Sequence, residues 1–166
     1  IWRSRLIMLD LLSDHPPTEN AEALDVGCGW GAVSMLLANN LSAKVTALDI
    51  DPLMENIVSL HCELNNCEVN FQNRNLRSLS AQDLEPFELI VATDICNRDS
   101  KVEDNLKLLD FAIDAGCERI LIADPGRPPF WELVDLCAKR FNTEVLSRGI
   151  RHQHKTWGFI LKIGMD

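Results

Sequence analysis

The run Leu24-Asp25-Val26-Gly27-Cys28-Gly29-Trp30-Gly31-Ala32 carries the clearest chemistry in this chain. A glycine-rich turn between a strand and a helix lets the backbone come close to a ligand and leaves amides free at the helix N-terminus. Gly27, Gly29 and Ala32 satisfy the relaxed dinucleotide pattern, which would receive a pyrophosphate. Two carboxylates point to a different ligand. Asp25 stands at a strand end, where it is poorly placed beside a pyrophosphate and well placed to meet an ammonium group. Asp49 closes the run Val45-Thr46-Ala47-Leu48, 22 residues after Gly27, where an acid can accept from both hydroxyls of a ribose. A ligand with a ribose and a cationic amino-acid end fits both acids, and S-adenosylmethionine (SAM) has those parts. A third acid, Asp94, follows Leu89-Ile90-Val91-Ala92-Thr93 at the edge where doubly wound sheets take their ligands.

Positioning these residues requires strands that alternate with helices. Short apolar runs at Ala23–Val26, Lys44–Asp49, Val69–Gln72, Leu89–Thr93 and Arg119–Asp124 are expected as strands buried on both faces of a parallel sheet. Leu53, Ile57, Leu60 and Leu64 share one face of an amphipathic helix that starts at Asp51-Pro52, a cap residue and a proline at the first helical position. Val102, Leu106, Leu109 and Ile113 repeat the pattern, and Glu103, Asp104, Lys107 and Asp110 between them form a solvated face. Strand then helix, repeated, implies right-handed crossovers. Pro125, Gly126, Pro128 and Pro129 break the chain before a last helix around Trp131–Phe141. The final strands, near Glu144–Ser147 and Trp157–Ile163, are joined by a loop and should pair antiparallel. The expected fold class is α/β: a doubly wound, Rossmann-like, mostly parallel sheet of seven strands with an antiparallel last strand, in a single domain over 1–166.

Composition narrows the function. With 166 residues, 46% of them hydrophobic, the chain can bury one sizeable core. Its 16 Lys plus Arg against 25 Asp plus Glu give a net charge of −9, which opposes nucleic acid and anionic membranes as partners. No apolar run reaches the ~20 residues of a membrane span, so a cytoplasmic location is expected. The six cysteines lie scattered without a Cys-x-x-Cys pair, which reads as free thiols, and no metal is expected because Cys62 and Cys67 lack a matching ligand pair. Arg148 to Lys155 is a basic stretch without an acid between the last two strands; His152 and His154 within it read as parts of a solvated hairpin loop.

The segment Asp25–Gly31 together with Asp49 resembles the first two motifs of class I SAM-dependent methyltransferases, whose sheet has seven strands with the last antiparallel. A narrower resemblance comes from Ile1-Trp2-Arg3-Ser4-Arg5-Leu6-Ile7-Met8-Leu9-Asp10, which is similar to the Trp-led helix of family 16 methyltransferases. Asp49-Ile50-Asp51-Pro52, Cys62-Glu63-Leu64-Asn65, Gln72-Asn73 and Asp124-Pro125-Gly126-Arg127-Pro128 are similar to the electron-transfer-flavoprotein β-subunit lysine methyltransferase group and its bacterial relatives.

That resemblance implies that Gly27 and Gly29 pass close to the methionine part of SAM, that Asp25 holds its amino group directly or through water, and that Asp49 takes the ribose. Asn73 or Asn75 stands where many relatives carry an adenine-binding Asp, or else caps a loop. Trp2 and Thr93 would line the same pocket, although Trp2 is equally a core residue. Asp94 would be the catalytic acid that orients the acceptor, with Asn97 and Arg127 on the substrate side; for Arg127 a structural ion pair is an equal reading. Family 16 lysine methyltransferases carry Asp-x-x-Tyr or Asp-x-x-Phe here, whereas this chain reads Asp94-Ile95-Cys96-Asn97 and contains no Tyr at all. The leading expectation is a SAM-dependent N-methyltransferase acting on a protein lysine. The alternatives are a small-molecule N-methyltransferase, a non-catalytic SAM-binding sensor or scaffold and, least of all, an NAD-dependent oxidoreductase. The sequence leaves the oligomeric state open.

Overall fold

The computed structural model describes residues 3–97, 102–150 and 156–164. Trp2 and the centre of the basic stretch, including His152 and His154, lie outside the described residues. The elements are helix α1 (Ser4–Asp14), strand β1 (Glu22–Val26), a short helix α2 (Ala32–Met35) that continues as a π-helical turn over Leu36–Asn40, β2 (Lys44–Asp49), α3 (Leu53–Asn65) and β3 (Val69–Asn73). A 3-10 turn at Leu76–Ser78 and helix α4 (Ala81–Leu84) precede β4 (Leu89–Thr93), α5 (Val102–Asp114), β5 (Arg119–Asp124), α6 (Pro128–Cys137), β6 (Thr143–Ile150) and β7 (Thr156–Gly164).

The strands form one seven-stranded sheet in the order β3-β2-β1-β4-β5-β7-β6. β7 inserts antiparallel between β5 and β6, and the pairings among β1 to β5 are all parallel. Chain order reverses between β1 and β4, so the loops after those strands diverge and leave a crevice at the carboxyl edge. The period-two alternation of a strand divides the core. Leu24, Val26, Ile90, Ala92, Ile120 and Ile122 pack on one face with α5 and α6; Ala23, Leu89, Val91, Leu121 and Ala123 pack on the other with α1 and α2.

Three local expectations are corrected. β3 is an edge strand with half-exposed side chains rather than a strand buried on both faces. The prolines at 128 and 129 do not break the chain ahead of a helix but occupy its first turn, where a missing N–H costs nothing. Helix α3 forms as expected, with Asp51 Oδ1 accepting from Leu53 N at 3.0 Å, but its leucine face is turned outward: Leu53, Leu60 and Leu64 are 65%, 53% and 74% exposed, and Val58 is the buried residue. The four-three-four spacing identifies the face correctly; it does not say which side of the helix the sheet covers. In α5 the charged face is solvated as expected, with Glu103 and Lys107 exposed and Asp104 and Asp110 paired at the surface with Arg77 and Arg140. Among the described residues no helix is long and apolar enough to cross a membrane.

Candidate active site

A cavity of about 580 Å³ opens at the carboxyl edge over β1, β2 and β4, within the range of a small-molecule or cofactor site. Its floor is the loop after β1. Gly27, Gly29 and Gly31 have φ of +69°, +53° and +83°, a left-handed backbone that a side chain would strain. Gly27 N and Cys28 N donate to Leu48 O at 2.7 and 3.1 Å, which straps the loop to the end of β2. A Cβ placed on Gly29 would meet nothing within 4 Å, so this part of the loop offers bare backbone to the cavity.

The acids around the loop divide into two environments. Asp49 lines the cavity, its Oδ2 accepting from Gly29 N at 2.8 Å and its Oδ1 from Asp51 N at 2.9 Å. Each oxygen retains a lone pair for a further donor. Asp25 is only 1% exposed and lies behind the loop instead of on the cavity wall; Ser34 Oγ donates to its Oδ2 at 2.6 Å. Burial pushes its carboxyl up to about 6, against the opposing hydrogen bond from Ser34 and with further upward pressure from the Asp49 charge.

The two asparagines also separate. Asn73 donates from Nδ2 to the carbonyls of Asp49 and Ile50, both at 3.0 Å, and so latches β3 to the end of β2 away from the cavity wall. Asn75 lines the cavity while its Oδ1 accepts from Arg77 N at 3.0 Å, capping the 3-10 turn. Thr93 and Asn97 line the cavity as well.

Asp94 follows β4 with φ +60°, a left-handed conformation that Asp tolerates better than most residues. It is buried, and it also borders the cavity. Its Oδ1 accepts from Ser4 Oγ at 3.0 Å and from Arg127 Nη2 at 2.7 Å. Its Oδ2 is buried without a hydrogen-bond partner among the described residues. Arg127 extends its other arm, Nη1, to Asp124 Oδ2 at 2.8 Å, and Asp124 Oδ1 accepts from Gly126 N and Arg127 N. Burial raises the Asp124 carboxyl despite those donors and the guanidinium. Arg127 therefore forms the structural ion pair: one guanidinium clamps two buried carboxylates, leaving the trio one negative charge in excess.

All six cysteines are free thiols; burial pushes Cys96 up to about 12 and Cys28 still higher, so both stay protonated. Arg148 is tied to Asp10 and Asp14 of α1, so the described start of the basic stretch braces that helix. Residues that the sequence did not single out complete the cavity, notably Arg5, Trp30, Ile50 and Leu76, together with the Arg77–Asp104 pair, whose members are 27 positions apart.

A doubly wound sheet with β7 antiparallel, a left-handed glycine loop after β1 and an acid closing β2 defines the class I SAM-dependent methyltransferase architecture. The "Methyltransferase domain" family model matches residues 23–109, just over half of the chain, and the chain belongs to that family. The chain is 33% identical over 132 residues to an electron transfer flavoprotein β subunit lysine methyltransferase from Xenopus laevis, covering 78% of this chain and 52% of that protein. It is 33% identical over 89 residues to a ubiquinone biosynthesis O-methyltransferase from Xylella fastidiosa (strain 9a5c), covering 54% and 36%. Among solved structures, the Pyrococcus abyssi tRNA (uracil-54, C5)-methyltransferase in complex with S-adenosyl-L-homocysteine aligns with a TM-score of 0.70 at 15% identity, covering 94% of this chain and 36% of that one. The chain spans about half the length of the lysine methyltransferase that it matches. The chain carries a methyltransferase domain, and its site fits S-adenosylmethionine: bare backbone at Gly29, the Asp49 carboxylate with free lone pairs, and the cavity between them.

Proposed function

We propose that this domain methylates an amine nitrogen, with a protein lysine as the acceptor and Asp94 as the residue that orients it. The observation that carries this reading is that Asp94 borders the cavity and keeps one buried carboxylate oxygen, Oδ2, without a partner among the described residues. A buried carboxylate oxygen left without a donor costs on the order of 1–3 kcal/mol, and an N–H from an acceptor amine would offset that cost. The similarity to the flavoprotein-subunit lysine methyltransferase supports a protein acceptor.

SAM supplies a methyl group already activated on a sulfonium, which moves to the acceptor nitrogen's lone pair as the carbon–sulfur bond breaks. The protein's task is alignment. Gly27 and Gly29 would receive the methionine part, Asp49 would accept from the ribose hydroxyls, and Thr93 and Asn75 would border the rest, while the buried Asp25 supports the loop from behind. A free lysine is mostly protonated at neutral pH, and a lone carboxylate would hold it so. Arg127 on Oδ1 offsets that tendency, leaving Oδ2 to accept from the neutral amine.

Asp94→Ala tests the assignment. The variant should bind S-adenosylhomocysteine within about threefold of the unaltered protein yet lose at least about a hundredfold in turnover of a labelled protein band. Retained turnover would remove Asp94 from the mechanism. Label from radioactive SAM that enters only small molecules would replace the protein acceptor with a small one, and cofactor binding without labelling would point to a sensor.

A further inference from the structure

Three arginines border the cavity. Arg74 pairs with Asp83 at 2.9 Å and Arg77 with Asp104 at 2.6 Å. Among the described residues, Arg5 has no carboxylate partner. Its guanidinium lies over the Trp30 ring, 4.5 Å from the centroid, a cation–π contact that sets it above the glycine loop. Trp30 is itself held, since His61 Nδ1 donates to its carbonyl at 2.8 Å and the two rings meet edge to face at 5.4 Å. Ser4, the residue before Arg5, is pinned to Asp94 by its hydroxyl, which fixes the first turn of α1 at the cavity mouth. That turn carries no acidic side chain of its own, and the Asp94 carboxylate meets it at Ser4, so the charge that α1 brings to this corner is the Arg5 guanidinium.

The Arg5 guanidinium, held over Trp30, offers this corner of the site to an anion, and it adjoins the glycine loop that would receive the amino-acid end of the cofactor. We infer that Arg5 forms the subsite for the α-carboxylate of that end, with Trp30 holding the guanidinium plane. The inference rests on the reading of the cavity as a SAM site. It separates the two charges of the zwitterion, carboxylate toward Arg5 on α1 and ammonium toward the Asp49 side of the loop. Arg5 is thereby a positioning residue for the sulfonium, because fixing both charged groups leaves the thioether chain one orientation.

The test compares S-adenosylhomocysteine with its decarboxylated analogue, S-adenosyl-3-thiopropylamine, by calorimetry. A charge-assisted guanidinium–carboxylate contact predicts that the unaltered protein prefers the carboxylate-bearing ligand by roughly ten- to a hundredfold. Arg5→Met, which keeps the packed stem, should narrow the preference to within about threefold by weakening S-adenosylhomocysteine alone, and Arg5→Lys should restore part of it. A preference that survives Arg5→Met overturns the subsite while leaving the cavity reading intact. Equal weakening of both ligands also overturns it, because Arg5 would then act on the loop through Trp30. Failure of the unaltered protein to bind either ligand overturns the cavity reading itself.

Discussion

Replacing Asp25 with Asn isolates the energetic consequence of keeping a carboxylate under the cofactor loop. The side chain is 1% exposed, shares its sheet face with the apolar packing of α1 and α2, and has one close donor, Ser34 Oγ at 2.6 Å. Burial raises its carboxyl from 3.8 to about 6, so the folded protein holds a proton more tightly than the unfolded chain does. Below pH 3.8 the group is neutral in both states; between there and about pH 6 the native state binds more protons, so stability falls as pH rises and the loss is complete above about 6. A rise of that size corresponds to about 3 kcal/mol. Asn can still accept from Ser34 and never ionises. Urea unfolding of both proteins between pH 4 and 8 should therefore show the stability of Asp25→Asn relative to the unaltered protein rising by about 3 kcal/mol, equivalent to roughly 6–12 °C in Tm for a chain of this size. Taking the difference cancels the titrations common to both proteins. A difference that stays flat with pH would refute the account of Asp25 as a desolvated acid.

Arg127→Met should destabilise the protein by about 3–5 kcal/mol in urea unfolding, because it strands two buried carboxylates that now share one guanidinium. Leu64→Gln should change stability by less than about 0.5 kcal/mol although it lies on the apolar stripe of α3, whereas Val58→Ala should cost about 2 kcal/mol, the reverse of what the stripe alone implies.

What the sequence revealed depends on how local the deciding physics is. The strands are legible because parallel strands buried on both faces need runs such as Leu89–Thr93, and the loop is legible because three left-handed positions in five residues demand glycine. Asp49 is legible because closing β2 fixes its place beside that loop. The burial of Asp25 was not: strand alternation directs it under α1 and α2, but only the packed helices show that no path to the cavity remains. Nor was the choice between Asn73 and Asn75, which turns on single hydrogen bonds to the backbone. Arg127, Asp94 and Asp124 meet across two neighbouring strands, so their joint charge is a property of the sheet edge rather than of any segment. Arg5 carried no signal because its environment is supplied by Trp30, 25 positions away.

The clamp by Arg127 gives the missing aromatic residue at position 97 a physical setting. An acceptor amine must approach in its neutral form, and a solitary carboxylate beside it would oppose deprotonation. Here the carboxylate is not solitary: Oδ1 is engaged by the guanidinium and by Ser4, while Oδ2 is left as an acceptor whose charge is partly drawn away. An oxygen in that state can take an N–H from a neutral amine while lending less support to an ammonium. The clamp is held from behind by Asp124, which accepts two backbone donors from the turn after β5 and so fixes the guanidinium's second arm. The proline-initiated helix α6 begins directly after that turn and is anchored by the fully buried Phe130. The distinctive Asp124-Pro125-Gly126-Arg127-Pro128 segment thus supports Asp94 from behind. Under the proposed function its charges bear on the protonation state of the acceptor through Asp94.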